Sequence, residues 1–174
     1  MTLQSSDHLS AHFTVREMAC HCCGQLPDNR DAMNELLMAL ENLRSLSLCL
    51  ILVNDAYRCP RHNAEVEPNP EIAKHSQHLA GAAADIRMEL LPPAAPGDAP
   101  AKPILLTTAA IARLALQVPQ FKNGGIGVYL DGGGQLADFA HLDVRGTRAR
   151  WGMRRENGRL IECAITDILP DWEE

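Results

Sequence analysis

The spacing of apolar residues divides the chain into helical and extended segments. Between residues 29 and 46 apolar positions recur every three or four residues, which predicts a helix with Asp28 as its N-cap. A second helix is predicted over residues 107–118, capped by Thr107 or Thr108. Pro60 predicts the first position of a short helix that ends near Val66. The apolar positions of the first helix are Met33, Leu36, Leu37, Leu40 and Leu43.

Other segments are typical of strands, because they are short apolar runs or alternate with period two. Asp131 and the glycines that follow it predict a turn between two of these strands. A short terminal strand is expected around residues 160–165, and the proline- and alanine-rich residues 91–103 predict a surface loop. The fold class is therefore α+β, with a largely antiparallel sheet packed against helices. The predicted strands are residues 48–53, 82–88, 124–130 and 139–145.

Length and charge narrow the classes of function. The 174 residues have the size of one domain, so we interpret residues 1–174 as a single, monomeric domain. The net charge of −6 argues against a nucleic-acid partner, since phosphate contacts need clustered Lys and Arg. No stretch approaches the roughly 18 apolar residues of a membrane span. The polar first ten residues lack the features of a signal peptide, which predicts a protein that is cytoplasmic as synthesised.

Three cysteines lie close together in the lead-in, residues 1–27, which is otherwise predicted to be irregular. Cys20, Cys22 and Cys23 flank His21 there, whereas the remaining cysteines are scattered along the chain. A structural zinc site normally needs a second pair of ligands, and no Cys or His pair with that spacing follows. We therefore interpret the cluster mainly as structural thiols, with a disulfide or an accessory metal as the alternatives.

Two segments carry residues suited to metal chemistry. Residues 76–85 place His78 seven positions before Asp85, with Gly81 and small alanines between them, so that both side chains can reach one cation. In the predicted strand 139–145 the period-two alternation puts His141, Asp143 and Arg145 on one face. The alternatives are a surface turn for the first segment and a solvated edge strand for the second.

The motifs in these segments resemble those of the zinc D-Ala-D-Ala carboxypeptidase and murein endopeptidase family, which has the hedgehog/DD-peptidase fold. The pattern Ser-x-His-x-x-Gly-x-Ala-x-Asp over residues 76–85 is followed by His-x-Asp-x-Arg-Gly over residues 141–146. Tyr-Arg-Cys-Pro upstream, Gly-Ile-Gly-Val-Tyr at residues 125–129 and a basic residue before Trp151 also match. The likeness runs from about residue 12 to residue 151, and its lead-in is similar to that of phage and prophage members.

Carried over position by position, the resemblance implies one catalytic zinc ion bound by His78, Asp85 and His141. Three protein ligands leave a position where water is activated as the nucleophile. Arg58 would lie beside the metal and hold an oxyanion or a substrate carboxylate, which suits its planar and permanently charged guanidinium. Ser76 would bind substrate or brace the loop that carries the ligands.

Two carboxylates are candidates for the general base. Asp138 stands three residues before His141, as the corresponding acid does in some relatives, but its parity on the strand differs from that of His141. Asp143 has the matching parity and could instead orient a ligand histidine from behind. We favour Asp138 as the base, because a base must touch the water that attacks.

The resemblance therefore implies a zinc metallopeptidase that hydrolyses a peptide bond in peptidoglycan stem peptides. Both D-Ala-D-Ala carboxypeptidase and murein endopeptidase activity are open, and either would act on the cell wall after release or export. The alternative is a non-catalytic, zinc-containing binding or structural module of phage or cell-wall machinery. An amidase of similar chemistry fits the order of the ligands less well.

Overall fold

The computed structural model of the chain describes residues 4–67, 69–93, 101–133 and 137–172. Its helices are short apart from the second, which lies where apolar residues recur at helical spacing. Among the described helices, none combines the length and apolar character that a membrane crossing requires. The helices are α1 (Val15–Met18), α2 (Asp31–Ser47), α3 (Pro60–Val66), α4 (Pro70–Ala73), α5 (Thr108–Ala115), α6 (Pro119–Lys122) and α7 (Ile165–Ile168), and a 3₁₀ helix spans Gln77–Ala80.

The strands form one seven-stranded sheet in the order β1-β2-β5-β4-β6-β7, and β3 pairs with β2 beside that path. The pairings are antiparallel except for β4 with β6, which run parallel. The α+β class and the largely antiparallel sheet are thus confirmed. The strands are β1 (Leu50–Asp55), β2 (Ala83–Leu90), β3 (Ile104–Leu105), β4 (Gly125–Leu130), β5 (Phe139–Asp143), β6 (Ala149–Glu156) and β7 (Arg159–Cys163).

The two faces of the central strands carry different residues. One face packs on α2, α5 and α6 and forms the hydrophobic core. Because side chains alternate along a strand, the residues between these core positions point to the other face. On β4 and β5 the residues of that other face include Gly125, Gly127, His141 and Asp143. The candidate metal ligand His141 therefore lies on the face opposite the core. The core residues of this region include Ile86, Met88, Ile126, Val128, Ala140 and Leu142, all completely buried.

Two predicted boundaries are wrong. The first residue of α2 follows Arg30, which takes the N-cap position in place of Asp28. No side chain caps the first turn from that position; the Asn29 side chain instead accepts a hydrogen bond from the Asp31 amide. Leu48 adopts the left-handed conformation, with φ 56°, and ends α2 by donating its amide to Arg44. The following strand consequently begins two residues later than predicted and reaches Asp55, close to the predicted site.

Further corrections concern the ends of the chain. The lead-in was predicted to be irregular, but Thr14 and Glu17 form a reciprocal capping box that starts the helical turn α1. The sequence pattern missed β6, because its exposed arginines break the alternation of apolar and polar residues. The terminal strand predicted at residues 160–165 is β7. Of the predicted loop 91–103, residues 94–100 lie outside the described residues, and the rest has neither helix nor strand.

Candidate active site

The structure brings His78, Asp85 and His141 together on the face of the sheet opposite the core. Asp85 on β2 pairs directly with His141 on β5, so both side chains leave the sheet at the same point. His78 is carried by the 3₁₀ helix, which ends at Gly81 with φ 67° and leads into β2. The three side chains are buried, with exposed fractions of 3%, 6% and 7% in chain order. The turn at Gly81 inferred from the sequence is confirmed.

The three facing atoms have the spacing of a tetrahedral metal site. The His141 Nδ1 atom lies 2.9 Å from Asp85 Oδ1 and 3.2 Å from His78 Nε2. His78 Nε2 lies 3.4 Å from the same Asp85 oxygen. Zinc bonds of about 2.0–2.1 Å at tetrahedral angles place ligand atoms about 3.3 Å apart. The donor set and its spacing therefore fit one zinc ion.

Each histidine is held by a hydrogen bond from the ring nitrogen that faces away from the other ligands. His78 Nδ1 donates to the Ala56 carbonyl at 2.6 Å, so Nε2 is the nitrogen that faces the other two side chains. His141 Nε2 lies 3.2 Å from Asp143 Oδ2, so Nδ1 is the nitrogen that faces them. Such partners orient a ligand histidine and raise its basicity.

Asp143 lies behind His141, on the side away from His78 and Asp85. Its carboxylate is completely buried and accepts hydrogen bonds from the Gly125 amide at 3.0 Å and from the Arg145 amide at 3.1 Å. Arg145 also forms an ion pair with it through its guanidinium. A Cβ atom on Gly125 would overlap this carboxylate, so the glycine leaves the space that Asp143 occupies. The Asp143 carboxylate is thus held in place from several sides, next to His141 Nε2.

Arg58 lies directly beside Asp85. Its Nη2 donates to Asp85 Oδ2 at 2.7 Å, and its Nε donates to Asp55 at the end of β1. The Arg58 amide donates to the His78 carbonyl at 3.1 Å, so the backbone is held to the loop of the first ligand. A guanidinium has five N–H donors, so donors remain for a further anion. Arg58 thus lies beside one of the three candidate metal ligands.

The charges in the site stabilise ionised carboxylates. Burial by itself would raise the pKa of Asp85, but the neighbouring His78 and His141 lower it well below the usual range of a carboxyl group. Burial likewise opposes ionisation of Asp143, yet His141 and Arg145 bring its pKa below the usual range. For His141, burial lowers the pKa, and hydrogen bonds to Asp143 and Asp85 outweigh it and raise the pKa. Both carboxylates are therefore ionised at neutral pH.

Comparison with known families agrees with this geometry. Residues 11–94 match the model of the family described as Peptidase M15. The matched segment belongs to the peptidase M15 family. The match includes His78 and Asp85 and ends before His141, so only the structure groups His141 with the other two candidate ligands. No curated protein and no solved structure shows a significant match to the chain.

Membership of the M15 family implies a peptide hydrolase, and M15 peptidases are zinc-dependent. This agrees with the site, because two imidazoles and a carboxylate are ligands that zinc prefers. The recognition made from the sequence motifs is confirmed at the level of the family. The family match does not indicate whether the protein comes from a phage or prophage.

An aromatic wall of Trp151 and Tyr129 borders the M15 site. His141 pairs with Gly127 on β4, and Gly127 pairs with Trp151 on β6. The Trp151 ring centre lies 5.1 Å from that of His141, and its Nε1 donates to the Tyr129 hydroxyl at 3.1 Å. Burial raises the pKa of Tyr129 to about 12, so the hydroxyl keeps its proton at neutral pH. In the sequence, Tyr129 ends the Gly-Ile-Gly-Val-Tyr motif and Trp151 follows a basic residue, and neither motif indicates a role for its aromatic residue.

Gly127→Ala is expected to destabilise the protein by about 1–3 kcal/mol, because a Cβ atom there would overlap the Trp151 indole. The measurement is the free energy of unfolding in urea, made with chelator so that metal binding does not contribute. Trp151→Leu in the same chain should recover part of the loss, since it removes the ring that the methyl group meets. Equal losses with and without Trp151 would contradict this explanation.

The two other residues predicted from the sequence, Asp138 and Ser76, directly precede the elements that carry His141 and His78. Asp138 comes one residue before β5 and is half-buried, and its Oδ1 accepts a hydrogen bond from the Asp131 amide at 2.8 Å. Ser76 is the N-cap of the 3₁₀ helix that carries His78, where its side chain makes no capping hydrogen bond. Asp55, which binds Arg58, was missed by sequence analysis. The sequence feature that could have indicated Asp55 is its position two residues before the Tyr-Arg-Cys-Pro motif.

Proposed function

We propose that the chain is a zinc metallopeptidase that hydrolyses a peptide bond in peptidoglycan stem peptides, as a D-Ala-D-Ala carboxypeptidase or a murein endopeptidase. The observation that carries the proposal is the spacing of His78 Nε2, Asp85 Oδ1 and His141 Nδ1 at 2.9–3.4 Å. In each histidine the opposite ring nitrogen is also engaged by an acceptor. A module that only binds the metal would need neither Arg58 beside the ligands nor Asp138 as a base.

Zinc bound by these three residues supplies a Lewis acid that makes water nucleophilic near neutral pH and polarises a carbonyl group. The task of Arg58 in the proposal is to hold negative charge. Its ion pair with Asp85 fixes the guanidinium beside the ligands, and its remaining N–H groups can bind an oxyanion or the terminal carboxylate of a peptide.

Asp138 is the proposed general base. The Asp131 amide occupies its Oδ1, which leaves Oδ2 to take a proton from the attacking water and return it to the leaving amine. Asp143 is less suited to this task, because its oxygens receive donors from Gly125, Arg145 and His141. We assign Asp143 the role of orienting His141, as a carboxylate behind a metal-binding histidine does.

Tyr129 and Trp151 are proposed to form one wall of the peptide-binding cleft. The Tyr129 hydroxyl accepts the indole N–H and so keeps its own O–H to donate to a substrate carbonyl. The rings also exclude water from one side of His141, which strengthens the electrostatic interactions of the site. Of the two roles inferred for Ser76, substrate binding and support of the ligand loop, we favour the second, because Ser76 is the N-cap of the 3₁₀ helix that carries His78.

The test is hydrolysis of defined muropeptides by the purified protein supplied with zinc, followed by mass spectrometry of the products. A carboxypeptidase releases the terminal D-Ala from a pentapeptide stem, whereas an endopeptidase divides a cross-linked dimer or cuts within the stem. Chelator treatment is expected to abolish the activity, and added zinc should restore it. Absence of cleavage of every stem peptide by zinc-loaded protein would overturn the proposal and favour a non-catalytic module.

A further inference from the structure

A second cluster of possible metal ligands lies outside the site already described. It consists of Cys20, Cys22, Cys23 and Cys59, whose sulfur atoms all lie within 4.8 Å of one another. The sequence pattern alone groups only the first three, because Cys59 follows 36 residues after Cys23 and has no partner cysteine beside it. The fold supplies the missing fourth thiol by bringing Cys59, the N-cap residue of α3, onto the lead-in.

The sulfur spacing fits a tetrahedral site. Cys22 Sγ lies 3.4 Å from Cys59 Sγ and 3.6 Å from Cys20 Sγ. Zinc–sulfur bonds of about 2.3 Å place thiolates about 3.8 Å apart in a tetrahedron. All four cysteines are free thiols, and these separations are too long for a disulfide, which joins sulfurs at about 2.05 Å.

Hydrogen-bond donors also point at these sulfurs. The Cys59 amide donates to Cys20 Sγ at 3.3 Å, and the His62 amide donates to Cys59 Sγ at 3.5 Å. The His62 ring lies beside the cluster as well, with Nδ1 3.4 Å from Cys20 Sγ. Amide donors of this kind stabilise metal-bound thiolates and fix their direction. Cys20 is buried, whereas Cys22 and Cys23 are exposed, so the cluster is open to an ion from solvent.

We propose that Cys20, Cys22, Cys23 and Cys59 bind a second zinc ion, with a structural role. Four thiolates select a soft divalent ion and leave no open position for water, which distinguishes this site from the one at His78. The ion would join the lead-in to the segment that carries Arg58, because Cys59 directly follows Arg58 in the chain. The structural site would thereby help to hold the guanidinium beside Asp85.

The experiment is the metal content of the intact chain, purified under reducing conditions without chelator and measured by inductively coupled plasma mass spectrometry. We expect about two zinc ions per chain in the wild type and about one in Cys22→Ser and in Cys59→Ser. Asp85→Ala should also hold about one, and the double variant Asp85→Ala/Cys22→Ser should hold none. Cys163→Ser, which replaces a thiol outside the cluster, is the matched control and should keep two.

Cobalt reports the ligand type directly, even if one cysteine variant folds poorly. Cobalt bound to Asp85→Ala should give the near-ultraviolet thiolate-to-metal charge-transfer band, and Cys22→Ser added to that chain should remove it. The proposal is overturned if the wild type and Cys22→Ser hold the same amount of zinc, if the second ion is iron, or if the purified protein contains a disulfide within the cluster. None of these results depends on hydrolysis, so a failure of the proposed peptidase activity would be seen separately.

Discussion

Asp85→Ala is expected to remove the zinc ion at the His78 site and to lower kcat/KM at least about a thousandfold, about 4 kcal/mol of transition-state stabilisation. Two effects combine in this variant. The substitution deletes the oxygen that lies 2.9 Å from His141 and 3.4 Å from His78, and it also leaves Arg58 without one of its two carboxylate partners. With only Asp55 left to balance its charge, the guanidinium would then repel a cation from the site.

The measurement pairs zinc content with muropeptide hydrolysis for Asp85→Ala and for His78→Ala. His75→Ala is the matched control, because His75 lies in the same loop and is exposed, so we expect it to keep both metal and activity. An active Asp85→Ala protein with zinc at wild-type occupancy of this site would refute the assignment of the ligands. The thiolate cluster is expected to keep its own ion in both variants, so the zinc content should fall by one rather than to zero.

Asp138→Asn is expected to lower kcat by about 10²–10⁴ while zinc occupancy stays at the wild-type level. The amide keeps the size of the side chain and an oxygen that can accept from the Asp131 amide, so the turn before β5 should persist. It cannot take a proton from water at neutral pH. The loss should therefore fall on turnover, with little change in the binding of metal or in the free energy of unfolding.

Asp143→Asn is the contrasting variant. Its carboxylate touches the His141 nitrogen that faces away from the metal ligands, so the substitution should weaken zinc binding about 10–100-fold. Excess zinc should then restore much of the activity, whereas no amount of zinc should rescue Asp138→Asn. Full activity in Asp138→Asn, with an inactive and zinc-loaded Asp143→Asn, would transfer the role of base to Asp143.

The period of the apolar residues predicted most of the elements that position the site. Strand β5 was predicted from its alternation of polar and apolar residues. Its two faces were also assigned correctly, because Leu142 and Val144 belong to the hydrophobic core and His141 lies on the opposite face. The helix α5 was predicted with its cap, and the Thr107 side chain accepts a hydrogen bond from the Ala110 amide. Predictions failed where local conformation overrode the pattern, as at Leu48, whose left-handed backbone shifts the start of β1.

The glycines of β4 show what a sequence motif leaves open about tertiary contacts. The sequence contained Gly125 and Gly127 as a recognisable pattern, and it indicated nothing of what occupies the space beside them. The structure shows the Asp143 carboxylate against the first and the Trp151 indole against the second. Both contacts cross between strands, and cross-strand neighbours depend on the register of pairing, which the order of residues along one strand does not define.

The sequence by itself determined the residue types of the metal site and their order, because imidazole and carboxylate side chains have the same chemistry wherever they stand. It also determined the fold class, since hydrophobic periodicity follows from helix and strand geometry. Only the tertiary structure decided which atoms face one another. Three contacts join residues that are far apart in the chain. They are the strand pairing of Asp85 with His141, the hydrogen bond from His78 to the Ala56 carbonyl, and the contact of Cys59 with Cys22 of the lead-in. Those interatomic distances are fixed by the packing of the whole sheet and its helices, so the spacing of residues along the chain does not predict them.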